Sequence, residues 1–277
     1  MLRSAAPSFL NMLWDQYRGR LNSFYRLETL GTSKSSADRP FILFEDEKYT
    51  YAQAYDRVLR YGHWLKTQMG VDKGDIVALD FQNTAQFVFL LLALWGIGAK
   101  PAFINYNLTG KALVHCVTRA NTRLLLVDPD VAKNASEDVR RELPGVQFVV
   151  FDSDLALAAA AASPVRYPDE QRGEEQVDDM ALLIYTSGTT GLPKAAVVSW
   201  GKVFMTGAFT SRLMGTKTSD VYYIVNNTFP CLSPPNGYRQ LTLFFSFSPG
   251  NAPIPQHRNT NGLRSRPFRR RHTGFGT

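Results

Sequence analysis

Cysteine is scarce in this chain. Its 277 residues include only Cys116 and Cys231, too few for a disulfide framework, which points to a reducing compartment. No Cys/His pair stands at ligand spacing, so no structural zinc is expected, and no residue is assigned to a metal. Long apolar runs are missing as well. No stretch reaches the ~18–20 residues that a membrane-spanning helix needs, and the longest candidate, Phe87 to Gly98, reads as a buried helix. A further lack is local: residues 221–277 hold seven arginines and no acid, while residues 1–220 balance 24 Lys/Arg against 24 Asp/Glu. The net charge of +7 therefore belongs to the C-terminal end. It does not mark the rest of the chain as a nucleic-acid surface, and no specific nucleic-acid partner is expected.

What is present suffices for a core, at 44% hydrophobic residues. Met1 to Leu13 carries one Arg and no acid, a short targeting-like pattern. Trp14 to Leu30 has apolar residues at helical spacing with Arg18, Arg20 and Arg26 between them. It suits a helix docked against the domain or one lying on a membrane. Gly31 to Arg39 is a polar linker. A β-hairpin follows, Phe41–Phe44 and Lys48–Thr50 around an acidic turn. Thr50 and Gln53 form a capping box, T-x-x-Q, that opens a helix with Ala54, Val58, Leu65 and Met69 on one side and Gly70 at its end.

Strict alternation comes next. Strands are expected at 76–81, 102–105, 124–127 and 147–151. Helices are expected from Asn83, from Thr109, from Val131 to Leu143 and from Leu155 to Ala162. The fold class is α/β, a mostly parallel sheet with helices on both faces. Pro164 to Asp179, with two prolines and six acids, reads as a solvated linker. The domain organisation follows: an N-terminal segment at 1–40, an α/β domain at 41–223 and a basic Pro/Arg-rich tail at 224–277.

The chain is organised around Met180 to Trp200, MALLIYTSGTTGLPKAAVVSW. An apolar strand, Ala181–Tyr185, leads into nine residues with four hydroxyls, two glycines, one proline and one lysine. Ala195–Val198 then resumes β-prone sequence. Gly188 and Gly191 permit backbone conformations that a Cβ forbids, and successive N–H groups in such a turn form an anion-binding nest. Thr186, Ser187, Thr189 and Thr190 offer O–H donors, and Lys194 a charge-assisted one. A Walker A loop is excluded, because Lys194 follows Pro193 and precedes Ala195. A dinucleotide fingerprint is excluded by spacing and by the lack of a following helix.

Tyr185 to Lys194, YTSGTTGLPK, resembles the phosphate-binding signature of the adenylate-forming superfamily at each diagnostic position. An ordinary Ser/Gly surface hairpin is the alternative, but it does not account for ten consecutive matches. Further segments narrow the resemblance: 20–25 (RLNSFY), 74–83 (GDIVALDFQN), 87–90 (FVFL), 94–107 (LWGIGAKPAFINYN), Asp128–Asp130 and Asp220–Tyr223. Together they are similar to the very-long-chain fatty acyl-CoA synthetases, also called fatty acid transport proteins, in their fungal form. The resemblance runs from about residue 20 to 223 and covers the N-terminal part of that fold.

The resemblance implies ATP, with Thr186, Ser187, Gly188, Thr189, Thr190, Gly191 and Lys194 around its β- and γ-phosphates, and also Mg²⁺ and coenzyme A. It implies fatty acid activation through an acyl-adenylate, linked to fatty acid uptake, by a protein held on an intracellular membrane (endoplasmic reticulum, peroxisome, lipid droplet or plasma membrane). The family's later segments for adenine, ribose and the adenylation lysine have no counterpart here, so no catalytic residue is assigned and this chain is expected to be inactive by itself. A non-catalytic nucleotide-binding fragment is the alternative. Beyond Tyr223 two readings stand: a basic tail for anionic lipid or RNA, or sequence from an unspliced intron or a shifted frame.

Overall fold

The computed structural model describes residues 2–186 and 191–214, with 229–230 and 243–244. Two helices come first, α1 (Leu2–Tyr17) and α2 (Phe24–Thr32). The single helix expected over 14–30 is interrupted because Gly19 takes a φ of 61° and the Asn22 side chain accepts from the Phe24 N–H at 2.9 Å. α2 buries Phe24, Tyr25, Leu27 and Leu30, as the docking reading expects. The hairpin β1 (Pro40–Phe44) and β2 (Glu47–Thr50) leads into α3 (Tyr51–Thr67), opened by the reciprocal Thr50–Gln53 capping box.

Next come β3 (Ile76–Asp80), α4 (Ala85–Gly96), β4 (Lys100–Ile104), α5 (Gly110–Ala120) and β5 (Leu124–Val127). The side chain that caps α4 belongs to Thr84, not Asn83: its hydroxyl accepts from the Phe87 N–H at 3.2 Å. α4 is apolar around almost its whole circumference and correspondingly buried. A 3₁₀ turn (Pro129–Asn134), α6 (Glu137–Glu142), β6 (Gln147–Val150) and α7 (Ser153–Ala161) follow. The continuous helix expected over 131–143 is therefore split. Asp128 caps the Pro129 turn, and a new helix begins after Ser136. α7 starts earlier than Leu155 because the Asp152 carboxylate accepts from the Leu155 N–H.

The chain continues with α8 (Asp169–Arg172), β7 (Met180–Thr186), β8 (Lys194–Ser199) and α9 (Trp200–Met214). Two short strands, β9 (Phe229–Pro230) and β10 (Leu243–Phe244), pair antiparallel. The readings of the rest of the tail, and of Asp220–Tyr223, lie outside the described residues.

The main sheet has the order β6-β5-β3-β4-β7-β8. Its first five strands are parallel, and β8 alone runs antiparallel, against β7. Period-two alternation sends Val77, Leu79, Leu124 and Leu126 to one face, where α2, α3, α4, α7 and α9 contribute to the core. Ala78, Ala102, Leu125 and Val127 go to the other, under α5 and α6. The expected doubly covered α/β sheet is borne out.

The reading of 164–179 as a solvated linker is corrected. Arg172 and Glu175 are buried because each finds partners. Arg172 donates to the Gly96 carbonyl and pairs with Asp169. Its guanidinium lies 4.4 Å from the Phe24 ring centroid. Gly98, at φ 80°, lets the backbone of Arg172 approach where a Cβ would meet its carbonyl at 2.8 Å.

Candidate phosphate-binding site

β7 and β8 form a hairpin whose final cross-strand pair is Thr186 with Lys194. The Thr186 hydroxyl donates to the Lys194 carbonyl at 3.5 Å. Because β7 is parallel to β4, and β4 to β3, Thr186 opens on the same edge as Asp80, Ile104 and Val127. That carboxyl edge is where open α/β sheets bind ligands, at the point where strand order reverses. Here β3 has β4 on one side and β5 on the other.

Of the expected site residues, the structure places Thr186, Gly191 and Lys194. Ser187, Gly188, Thr189 and Thr190 lie outside the described residues. Gly191 has a φ of 90°, and among the described residues no atom lies within 4 Å of where its Cβ would stand. That positive φ is by itself a reason for glycine at this position. Lys194 is exposed, and among the described residues no carboxylate pairs with it. The N–H of a positive-φ glycine and an exposed ammonium are donors suited to phosphate oxygens. No group of three or more His, Cys, Asp or Glu side chains able to hold a metal occurs among the described residues.

Helix α5 touches both stems of this loop. The Tyr185 hydroxyl donates to the Cys116 carbonyl at 2.6 Å, and His115 Nε2 lies 3.0 Å from the Pro193 carbonyl. Burial, and then the neighbouring Cys116, hold the Tyr185 phenol above its ordinary range. Burial, with Asp80 nearby, pushes the Cys116 thiol up to about 12, so it stays a neutral core group. On sequence alone His115 reads as a surface or core-edge residue, because its partner is 78 positions away and no local pattern announces it.

Asp80 was equally illegible. It ends β3 fully buried, and among the described residues neither carboxylate oxygen has a hydrogen-bond partner. Burial first, and the Asp128 carboxylate second, raise it to about 7. Asp128 accepts from the N–H groups of Asp130 and Gln82 at 3.0 and 3.3 Å. Of the remaining family-like residues, the Asn105 side chain accepts from the Asn107 N–H and the Tyr106 carbonyl from Asn134. Tyr25 receives Arg172. These are structural roles.

The family model described as AMP-binding enzyme matches residues 32–234. The chain belongs to this family. The match runs past Tyr223, where the sequence resemblance was expected to stop. Within the family the similarity is to fatty acid transport proteins. The chain is 33% identical over 222 residues to a very long-chain fatty acid transport protein of Cochliobolus heterostrophus, covering 79% of this chain and 33% of the relative. It is 40% identical over 167 residues to the protein so named in Saccharomyces cerevisiae, covering 57% and 25%. The chain thus spans a third or less of the length of these curated relatives. The solved benzoate CoA ligase from Burkholderia xenovorans LB400 has the same fold, with a TM-score of 0.61 at 20% identity over 73% of this chain and 39% of that one. The expected family, and its N-terminal coverage, are borne out.

Proposed function

We propose that this chain of the AMP-binding enzyme family supplies the phosphate-binding part of an ATP-dependent fatty acid activation. The observation that carries the reading is the paired base of the loop, Thr186 with Lys194, set at the carboxyl edge of the sheet with the lysine exposed. In this reading Thr186, Ser187, Gly188, Thr189, Thr190, Gly191 and Lys194 surround the β- and γ-phosphates of ATP. A fatty acid carboxylate displaces pyrophosphate from the α-phosphorus to give the acyl-adenylate. The thiol of coenzyme A then displaces AMP to give the thioester. The loop positions the departing pyrophosphate and offsets its growing charge. Mg²⁺ would bind the phosphate oxygens, and no described residue is assigned to it.

The membrane part of the reading rests on α1. Leu10, Leu13, Trp14 and Tyr17 stand at i, i+3, i+4 and i+7 and are all exposed. Trp14 and Tyr17 stack at 5.7 Å, with exposed Arg18 beside them. The inner side is fixed by buried Met12, by the Asp15–Arg26 ion pair and by Gln16, which accepts from the Val177 N–H. Aromatic rings beside a cation suit the headgroup region of an anionic bilayer.

Incubation with ATP, a long-chain fatty acid and coenzyme A tests the chemistry. Acyl-adenylate or thioester product supports the ligase reading. Saturable ATP binding without product leaves the nucleotide-binding alternative. For the membrane, co-sedimentation with anionic vesicles that Trp14→Ala/Tyr17→Ala abolishes is expected; equal sedimentation of parent and variant overturns that part.

A further inference from the structure

We propose that α5 clamps the phosphate loop from outside, with His115 and Tyr185 as positioning residues for phosphate binding. The proposal rests on the reading of 186–194 as a phosphate loop. Its geometry stands on the described residues alone.

Two neighbours on one helix reach opposite stems of one loop. Cys116 receives the hydroxyl of Tyr185, the residue just before Thr186. His115 reaches the carbonyl of Pro193, the residue just before Lys194. Thr186 and Lys194 are themselves cross-strand partners, so the two contacts bracket the base of the loop. A carbonyl only accepts, so Nε2 carries the proton in the His115 contact. Neutral and cationic imidazole both donate there, and the clamp survives either charge state.

The helix is a firm reference. Leu113, Cys116, Val117 and Ala120 are buried against the sheet, and α5 ends in a left-handed turn at Asn121, φ 51°. The Pro193 contact also acts on the lysine. The Pro193 carbonyl and the Lys194 N–H share one rigid peptide plane, so holding that oxygen sets the direction in which Lys194 leaves the hairpin. Proline has fixed φ and no N–H, so this carbonyl is the polar handle of residue 193. A loop whose two stems are held before the ligand arrives loses less freedom on binding, which raises affinity without a new ligand contact.

The test compares His115→Leu, which removes the donor, with His115→Gln, which retains an N–H near the Nε2 position, and with Tyr185→Phe. Two quantities are read in the whole chain: amide hydrogen exchange of peptides covering 186–194 without nucleotide, and ATP affinity by calorimetry. His115→Leu and Tyr185→Phe are expected to speed loop exchange and to weaken ATP binding about fivefold, roughly the effect of losing one neutral hydrogen bond. His115→Gln is expected to restore both. A general packing defect would not be rescued by glutamine. Unchanged loop exchange in His115→Leu overturns the clamp. Faster exchange with unchanged ATP affinity overturns its part in phosphate binding. Absence of ATP binding in the parent chain instead overturns the reading of the loop, while loop exchange still decides whether the clamp exists.

Discussion

The ammonium of Lys100 lies 2.8 Å from each carboxylate oxygen of Glu175. The indole N–H of Trp200 donates to the same carboxylate at 2.6 Å, and Asn22 approaches at 3.5 Å. Trp95 packs against Trp200 with its ring tilted, centroids 4.9 Å apart, and donates to the Ala181 carbonyl. One buried carboxylate thus ties the acidic segment to the starts of β4 and α9. Glu175→Ala leaves a mostly buried ammonium and an indole N–H without their acceptor. The expected cost is about 3–5 kcal/mol, the usual penalty for breaking one side of a buried pair. Urea denaturation measures it, and a midpoint equal to the parent's would mean that the segment is held by other contacts.

Asp80 predicts a pH dependence. Its folded pKa of about 7 lies above the ordinary 3.8. The stability that goes with its neutral form is fully present below the unfolded value and is lost as pH rises through about 7. At most the loss is about 4 kcal/mol, three pKa units at ~1.4 kcal/mol each. Asp128 shifts in the same direction through burial, so the comparison is made with Asp80→Asn. Between pH 5 and pH 8 the variant should gain stability relative to the parent. A difference that stays constant with pH would contradict a carboxyl raised by burial.

At Gly191 the positive φ sets a requirement of its own. Gly191→Ala should strain the loop by about 1–2 kcal/mol and weaken ATP binding by roughly five- to thirtyfold. The unfolding midpoint of the rest of the domain should barely move. Calorimetric titration with ATP checks this, and alanine tolerated without loss of affinity would show that the loop can take another path.

Helix α3 carries a local test. The Thr50 hydroxyl accepts from the Gln53 N–H, and the Gln53 side chain receives the Thr50 N–H. Thr50→Ala should cost about 1 kcal/mol, read as a lowered urea midpoint; a cost near zero would mean that packing of Tyr51 and Ala54 alone fixes the helix start.

Most of the fold was legible because its signals are local. The T-x-x-Q box at Thr50, the apolar face of Leu113, Cys116, Val117 and Ala120, and the all-apolar run of β5 each specify their element within a few residues. The break at Ala135–Ser136 was misread because apolar spacing over 131–143 continues from the 3₁₀ turn that Asp128 caps into α6. The 164–179 segment was misread for a different reason. Charge runs are ordinarily solvated, and nothing near Glu175 in sequence shows that Lys100 and Trp200 converge on it. The strand–loop–strand order of β7 and β8 was legible by its residue types, whereas the surroundings were not: His115 meets Pro193, and Asp80 becomes buried, only when distant strands and helices come together.

The most direct test of the central claim is ATP titration of the chain and of its Lys194→Ala variant. The phosphate-loop reading predicts saturable binding that falls about tenfold or more when the exposed ammonium is removed, in line with one charge-assisted hydrogen bond. Equal ATP affinity in the two proteins would contradict it.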